Sequence, residues 1–237
     1  CTGVCKRYKD KEVLSNVDVE IEAGKIYGLI GRNGAGKTTL LSIITGQNAA
    51  TSGEITYKGE KVWENQEVLD HICFSRELNS LLGMGANNLK VKDYLKAAAV
   101  YLPKWDSDMA DKLVVMFELD KKKRICKLSK GMMSMITIII AMASKAEITI
   151  LDEPVAGLDV VMRETFYRLL LEEYSESNRT FIVSTHIIEE ASGVFEDVII
   201  VDKGKVLLNE NEEDLLGRAY MVSGKAEEVD EATKGLH

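Results

Sequence analysis

The sequence predicts an α/β fold: a mostly parallel sheet, an antiparallel β edge and an inserted helical segment. Three observations predict it. Short apolar runs bounded by turn residues, such as Ile26 to Ile30 and Ile148 to Leu151, have the length and character of buried strands. Amphipathic helical stretches follow them, and strands alternating with helices favour parallel pairing. The middle of the chain carries helical periodicity only.

The elements follow in order. Val13 to Ile21 alternates, with Val13, Ser15, Val17, Val19 and Ile21 on one face, which predicts a half-buried strand. Glu22 to Lys25 turns the chain into the run Ile26 to Ile30. A Gly-rich loop leads to a helix over Leu40 to Thr45, ended by Gly46. Gly53 to Trp63 predicts a hairpin turning at Lys58 to Lys61. Val91, Tyr94, Leu95, Ala98, Tyr101 and Leu102 share one helical face, and Pro103 stops that helix. Ser107 to Leu119 is a second helix with Met109, Leu113 and Phe117 inward. Lys121 to Arg124 is a basic run, either a solvated loop or a contact for a partner or headgroup. Strand character returns at Ile148 to Leu151 and Phe181 to Val183, separated by a helix over Arg163 to Tyr174. Val198 to Val201 and Lys205 to Leu208 form a hairpin through Asp202-Lys-Gly204. The expected division is a core over 1–77 and 144–210, a helical subdomain over 78–143 and an acidic tail over 211–237. A strand-like patch at Tyr220 to Val222 in that tail is expected to begin a longer extension. The chain opens on Cys1 rather than Met, and its first residues are expected to be missing or processed.

Composition narrows the function classes. The 237 residues are 46% hydrophobic and 29% charged with a net charge of −8, which excludes a largely disordered chain. An isoelectric point near 5.1 argues against nucleic-acid binding through the bulk field. The four cysteines form no C-x-x-C pair and read as free thiols in a reducing compartment. The longest apolar stretch, Met132 to Ala143, falls short of the about 20 residues a bilayer span requires.

Two motifs carry chemistry. Gly31-Arg-Asn33-Gly34-Ala35-Gly36-Lys37-Thr38 matches G-x-x-x-x-G-K-[ST], between a predicted strand and a helix. Glycines let the backbone turn its N–H groups onto a phosphate, and the helix N-terminus adds a positive field. Lys37 is expected to reach the β- and γ-phosphates and Thr38 to ligate Mg²⁺, with Thr39 completing the loop. The second motif is the strand Ile148 to Leu151 ending in Asp152 and Glu153. Ligands gather at the carboxyl ends of strands in such sheets. Asp152 is expected to hold Mg²⁺ directly or through water. Glu153 is expected to accept a proton from the attacking water, or to orient it.

The phosphate loop, Leu128-Ser-Lys-Gly-Met132, Leu151-Asp-Glu-Pro154, Gly157-Leu-Asp159 and Ser184-Thr-His186 occur together in the order of ABC-type ATPases. The resemblance covers about Val4 to Glu210. It implies a P-loop NTPase fold with a RecA-like core, ATP and Mg²⁺ as ligands, and a dimer closing head-to-tail around two ATP molecules. It also implies a separate membrane-spanning subunit and a place at the cytoplasmic face of the membrane. Tyr8 resembles the aromatic that stacks on adenine. Ser129, Lys130 and Gly131 resemble the signature loop that caps the γ-phosphate on the other protomer, although the family commonly has Leu-Ser-Gly-Gly-Gln there. His186 resembles the switch histidine at the γ-phosphate and attacking water, and Asp159 the aspartate that crosses the dimer interface. Arg76 occupies the place of the family's glutamine, which joins Mg²⁺ to the membrane partner; Ser75 and Glu77 are the alternatives.

Pro103-Lys-Trp-Asp106, Phe117-Glu-Leu119 and Leu128-Ser-Lys-Gly131 are similar to a narrower group, bacterial exporters of antimicrobial or toxic peptides, including the phenol-soluble-modulin exporters. A soluble ABC ATPase acting on DNA or ribosomes is the alternative. Against it stand the short span from Lys37 to Ser129, without heptads, and the single cassette. A GTPase switch would need Asn-Lys-x-Asp, which the sequence lacks.

Overall fold

The computed structural model describes residues 1–76, 88–186, 193–212 and 214–215. The strand-like patch at Tyr220 to Val222 and the alternative Glu77 lie outside them.

The elements run β1 (Thr2–Tyr8), β2 (Lys11–Val17), β3 (Ile26–Ile30), α1 (Lys37–Ile44), β4 (Ser52–Glu54), β5 (Thr56–Tyr57), β6 (Glu60–Lys61), α2 (Gln66–Leu69) and β7 (Ile72–Arg76). They continue with α3 (Val91–Tyr101), α4 (Ser107–Met116), α5 (Lys130–Ala143), β8 (Ile148–Asp152), α6 (Val160–Ser177), β9 (Thr180–Thr185), β10 (Asp197–Asp202) and β11 (Lys205–Asn211). The main sheet has the order β11-β10-β3-β9-β8-β7. It is parallel except for β11, which folds back on β10. A smaller antiparallel sheet, β2-β1-β4, forms the predicted β edge.

Every residue of β3 and β9 is buried. That explains their uninterrupted apolar runs: strands covered on both faces have no polar side to show. Alternate residues still face opposite layers. Phe181 and Val183 join an apolar cluster with α3, α4, α5 and α6, whereas Tyr27, Leu29, Ile150 and Ile182 pack with α1. Val4, Leu14 and Val17 of the small sheet close over α1 from its other side. The helix that opens at the phosphate loop is thereby held between two sheets.

The alternation read for residues 13–21 fails at its start. Leu14 and Val17 are the buried residues of β2, whereas Val13 and Ser15, read on the same face as Val17, are only half-buried. Asn16 takes a left-handed conformation (φ 48°), and the β1–β2 register slips between Val4 and Lys6 and again between Lys6 and Arg7. A bulge of this kind adds one residue and moves the side chains beyond it to the other face. Tyr101 is likewise not on the inward face of α3 but 83% exposed, because the helix ends there and Leu102 is already extended. The turn at 202–204 is as predicted; the hairpin read for 53–63 is shorter, because Glu60 and Lys61 pair with Tyr57 and Thr56 rather than turning, and β4 pairs with β1. Lys58-Gly59 and Lys203-Gly204 both have paired positive φ values, the geometry that suits two-residue hairpins. The basic run is tied to α3, since Val91 N–H donates to Lys123 O and Lys92 N–H to Lys121 O.

Candidate nucleotide site

The carboxyl ends of β3, β8 and β9 meet at one edge of the main sheet. From β3 the chain enters the phosphate loop. Gly34 and Gly36 have φ values of 83° and 113°, a region L side chains rarely adopt. A Cβ on Gly31 would stand 2.4 Å from Val201 O. The β10–β11 turn supports the loop from behind: Gly204 N–H donates to Ala35 O at 2.8 Å and Ser15 N–H to Gly204 O at 2.9 Å. Gly36 starts α1 with no side-chain cap, so the first N–H groups of α1 have no side-chain acceptor there. Asn33 and Gly34 are exposed, Ala35 and Lys37 buried. The Lys37 ammonium donates to Gly31 O at 2.6 Å and lies 3.2 Å from Glu153 Oε1.

β8 delivers the two carboxylates to opposite tasks. Thr38 Oγ1 donates to Asp152 Oδ2 at 2.7 Å, joining the start of α1 to the end of β8. These are hard oxygen donors side by side, the type a Mg²⁺ ion takes. Glu153 has a left-handed backbone (φ 50°), which costs on the order of 1–3 kcal/mol for such a residue. That turn swings its carboxylate between Lys37 and His186, whose Nδ1 is 2.7 Å from Glu153 Oε2. Glu153 Oε1 is a buried atom without a hydrogen-bond partner, although Lys37 stands within ion-pair reach. The structure thus brings together Gly31, Lys37, Thr38, Asp152, Glu153 and His186.

The other expected residues take definite places. Tyr8 ends β1; Asn48 Nδ2 donates to its hydroxyl and the Lys6 ammonium sits 4.9 Å from the ring centre, leaving the residue 46% exposed. Ser129 caps α5, its Oγ accepting from Met132 N–H at 3.2 Å. Asp159 caps α6 in the same way, accepting from Met162 N–H at 2.9 Å. The loops carrying them touch: a Cβ on Gly131 would lie 2.6 Å from Gly157 O, and one on Gly157 would lie 2.9 Å from Lys130 Cγ. Arg76 is the exposed last residue of β7, in register beside Asp152.

Sequence reasoning assigned no role to Ser184. It is buried, and its hydroxyl donates to Asp152 Oδ1 and accepts from Glu153 N–H at 3.0 Å. The signal was there: a hydroxyl following the apolar run Phe181 to Val183 has to find a partner.

The ABC transporter family profile matches residues 14–156, more than half of the chain. The chain belongs to the ABC transporter family. This ABC cassette is an ATP-binding ATPase with the P-loop fold the motifs predicted. It is similar to the lantibiotic transport ATP-binding protein SrtF of Streptococcus pyogenes, 30% identical over 86% of each chain. It is also similar to the bacitracin transport ATP-binding protein BcrA of Bacillus licheniformis, 31% identical over 87% of this chain and 67% of that one. The ABC transporter ATP-binding protein YtrB of Bacillus subtilis is 29% identical over 78% of this chain, which spans 62% of YtrB. Among solved structures, the ATP-binding subunit of an ABC transporter superposes with a TM-score of 0.78, at 23% identity, over 92% of this chain and 91% of that one. Among the described residues, no helix is long and apolar enough to cross a membrane.

Proposed function

We propose that this ATPase powers the export of peptides or amphipathic antimicrobial compounds through a separate membrane-spanning subunit, at whose cytoplasmic face it sits. The observation that carries the ATP chemistry is the convergence of Lys37, Thr38, Asp152, Glu153 and His186 at one sheet edge. The export reading is supported by relatives named for bacitracin and lantibiotic transport.

In this reading two cassettes close head-to-tail around two ATP molecules. The phosphate loop, Gly31 to Thr39, holds the phosphates. Tyr8 stacks on adenine. Ser129, Lys130 and Gly131 cap the γ-phosphate of the facing protomer, and Asp159 crosses the interface. Thr38 and Asp152 would hold Mg²⁺, which would supply neutralisation of the phosphate charge. Glu153 accepts the proton of the attacking water, or orients it, and His186, which stands on Glu153 Oε2, contacts the γ-phosphate and that water. Arg76, beside Asp152, turns to the phosphate edge or the membrane subunit, because a guanidinium has no acceptor for a metal.

The test is the assembled transporter in liposomes. Cationic amphipathic peptides are expected to raise its ATPase rate and to be moved across the bilayer. Lys37→Ala is expected to abolish both by removing the buried charge from the phosphate site. ATP hydrolysis that is intact, but neither stimulated by nor coupled to movement of any such peptide, would overturn the export reading.

A further inference from the structure

We propose that Ser184 is a positioning residue for ATP hydrolysis, holding the Asp152 carboxylate and the Glu153 backbone in one arrangement through a single hydroxyl. The inference rests on the reading above that Asp152 is the metal-side carboxylate.

Ser184 lies on β9 with Leu29 of β3 on one side and Asp152 of β8 on the other. Its hydroxyl uses its proton on Asp152 Oδ1 and a lone pair on Glu153 N–H. The same N–H also points at Ser184 O, 3.2 Å away. Asp152 Oδ1 is thereby engaged, and Oδ2 is the oxygen that meets Thr38. A carboxylate is free to rotate about its terminal bond; one oxygen tied to Ser184 leaves the other aimed at α1. Glu153 is the residue with the left-handed backbone, and its N–H is what Ser184 grips. One residue on, Thr185 O accepts from Gly31 N–H at 3.4 Å; next comes His186, whose ring meets Glu153. The end of β9 thus touches the phosphate loop through the Thr185 carbonyl, and the Ser184 hydroxyl joins it to the Asp152 carboxylate and the Glu153 backbone. Hydrogen-bond partners behind metal ligands commonly change metal affinity or activity by about 10–100-fold when lost.

The experiment measures nucleotide affinity of the full chain with and without Mg²⁺, beside turnover, for wild type, Ser184→Ala and Ser184→Cys. Cysteine keeps the volume and is a weak donor, so it carries the test if alanine fails to fold. Both variants are expected to raise the Mg²⁺ concentration for half-maximal effect, and to lower turnover, by about tenfold or more. Mg²⁺-free nucleotide affinity is expected to stay within about twofold, a change too small to signal a lost phosphate contact. In an Asp152→Asn background, Ser184→Ala is expected to shift the Mg²⁺ response no further. Three results would overturn the inference: an unchanged Mg²⁺ response in the folded variants, an equal loss of Mg²⁺-free affinity, or the same penalty in both backgrounds. A wild type indifferent to Mg²⁺ would overturn the metal assignment itself and the inference with it.

Discussion

The two ends of the main sheet are built on opposite terms. At the amino end, polar groups are saturated. Glu147, just before β8, accepts from Tyr57 at 2.6 Å and meets Lys58, His71 and Lys104. The Tyr57 hydroxyl first, then the Lys104, His71 and Lys58 contacts, hold its carboxyl well below the usual carboxylate range, against the opposing effect of burial. Arg179, buried just before β9, donates to Ala141 O, Met142 O and Ala146 O, closing off carbonyls at and just past the end of α5. It also pairs with buried Glu173 at 2.8 Å. At the carboxyl end the terms reverse. Glu153 sits on left-handed backbone with one oxygen short of a hydrogen bond, and α1 begins without a side-chain cap. Satisfied groups hold a fold; groups with unused capacity, kept in place by rigid neighbours, are what a ligand can engage. A cavity of about 820 Å³ at the amino end, lined by Ile44, Ile55, Ile72, Ile148 and Ile182, shows that concavity alone does not identify the site.

Substitutions at each end separate the two roles. The largest effect is expected from Arg179→Met, which leaves Glu173 buried beside Lys145 alone and strips the α5 carbonyls of their donors. Breaking a buried pair from one side costs about 3–5 kcal/mol. Urea unfolding is expected to show that loss while the folded protein binds ATP normally; a cost below about 1 kcal/mol would mean Lys145 suffices for Glu173.

Next comes Glu153→Gln at the carboxyl end, expected to keep ATP affinity and cut turnover by roughly 10²-fold or more, the scale of a lost general base. Steady-state kinetics beside equilibrium binding tests this, and wild-type turnover would remove Glu153 from the reaction.

Arg76→Gln is expected to change ATP affinity of the isolated cassette by less than about 1.4 kcal/mol, a factor of ten, and mainly to alter stimulation by the membrane subunit. A larger loss of affinity would place Arg76 inside the nucleotide site.

The smallest effect is expected from Tyr57→Phe, about 1 kcal/mol or less at so exposed a cluster. Its pH dependence has a sign. A carboxyl whose folded pKa is depressed contributes stability above its unfolded pKa, near 4.3 for a glutamate, and loses it as pH falls through the folded value. Removing the tyrosine hydroxyl lessens the depression. Wild type should therefore exceed the variant most above about pH 4.3, with the gap narrowing on further acidification. Thermal melts across that range measure it.

What the sequence by itself determined is local and periodic. The runs at Ile26, Ile148 and Phe181 became central strands because strands buried on both faces have no polar side to show. The phosphate loop was legible because its glycines, lysine and threonine are contiguous, and the positive φ values at Gly34 and Gly36 are a demand on residue type. Asp152 and Glu153 were legible because the strand before them ends at the ligand edge. What only the tertiary structure decided is whatever joins distant segments or breaks a period. The bulge at Asn16 turned Leu14 inward, and no local rule marked which residue would be extra. Ser184 meets Asp152 because β9 pairs with β8, and Glu147 collects donors from residues 57, 58, 71 and 104. Hydrogen bonds act over about 3 Å whatever the separation along the chain, so the partners of a polar side chain become known only when the strands are paired.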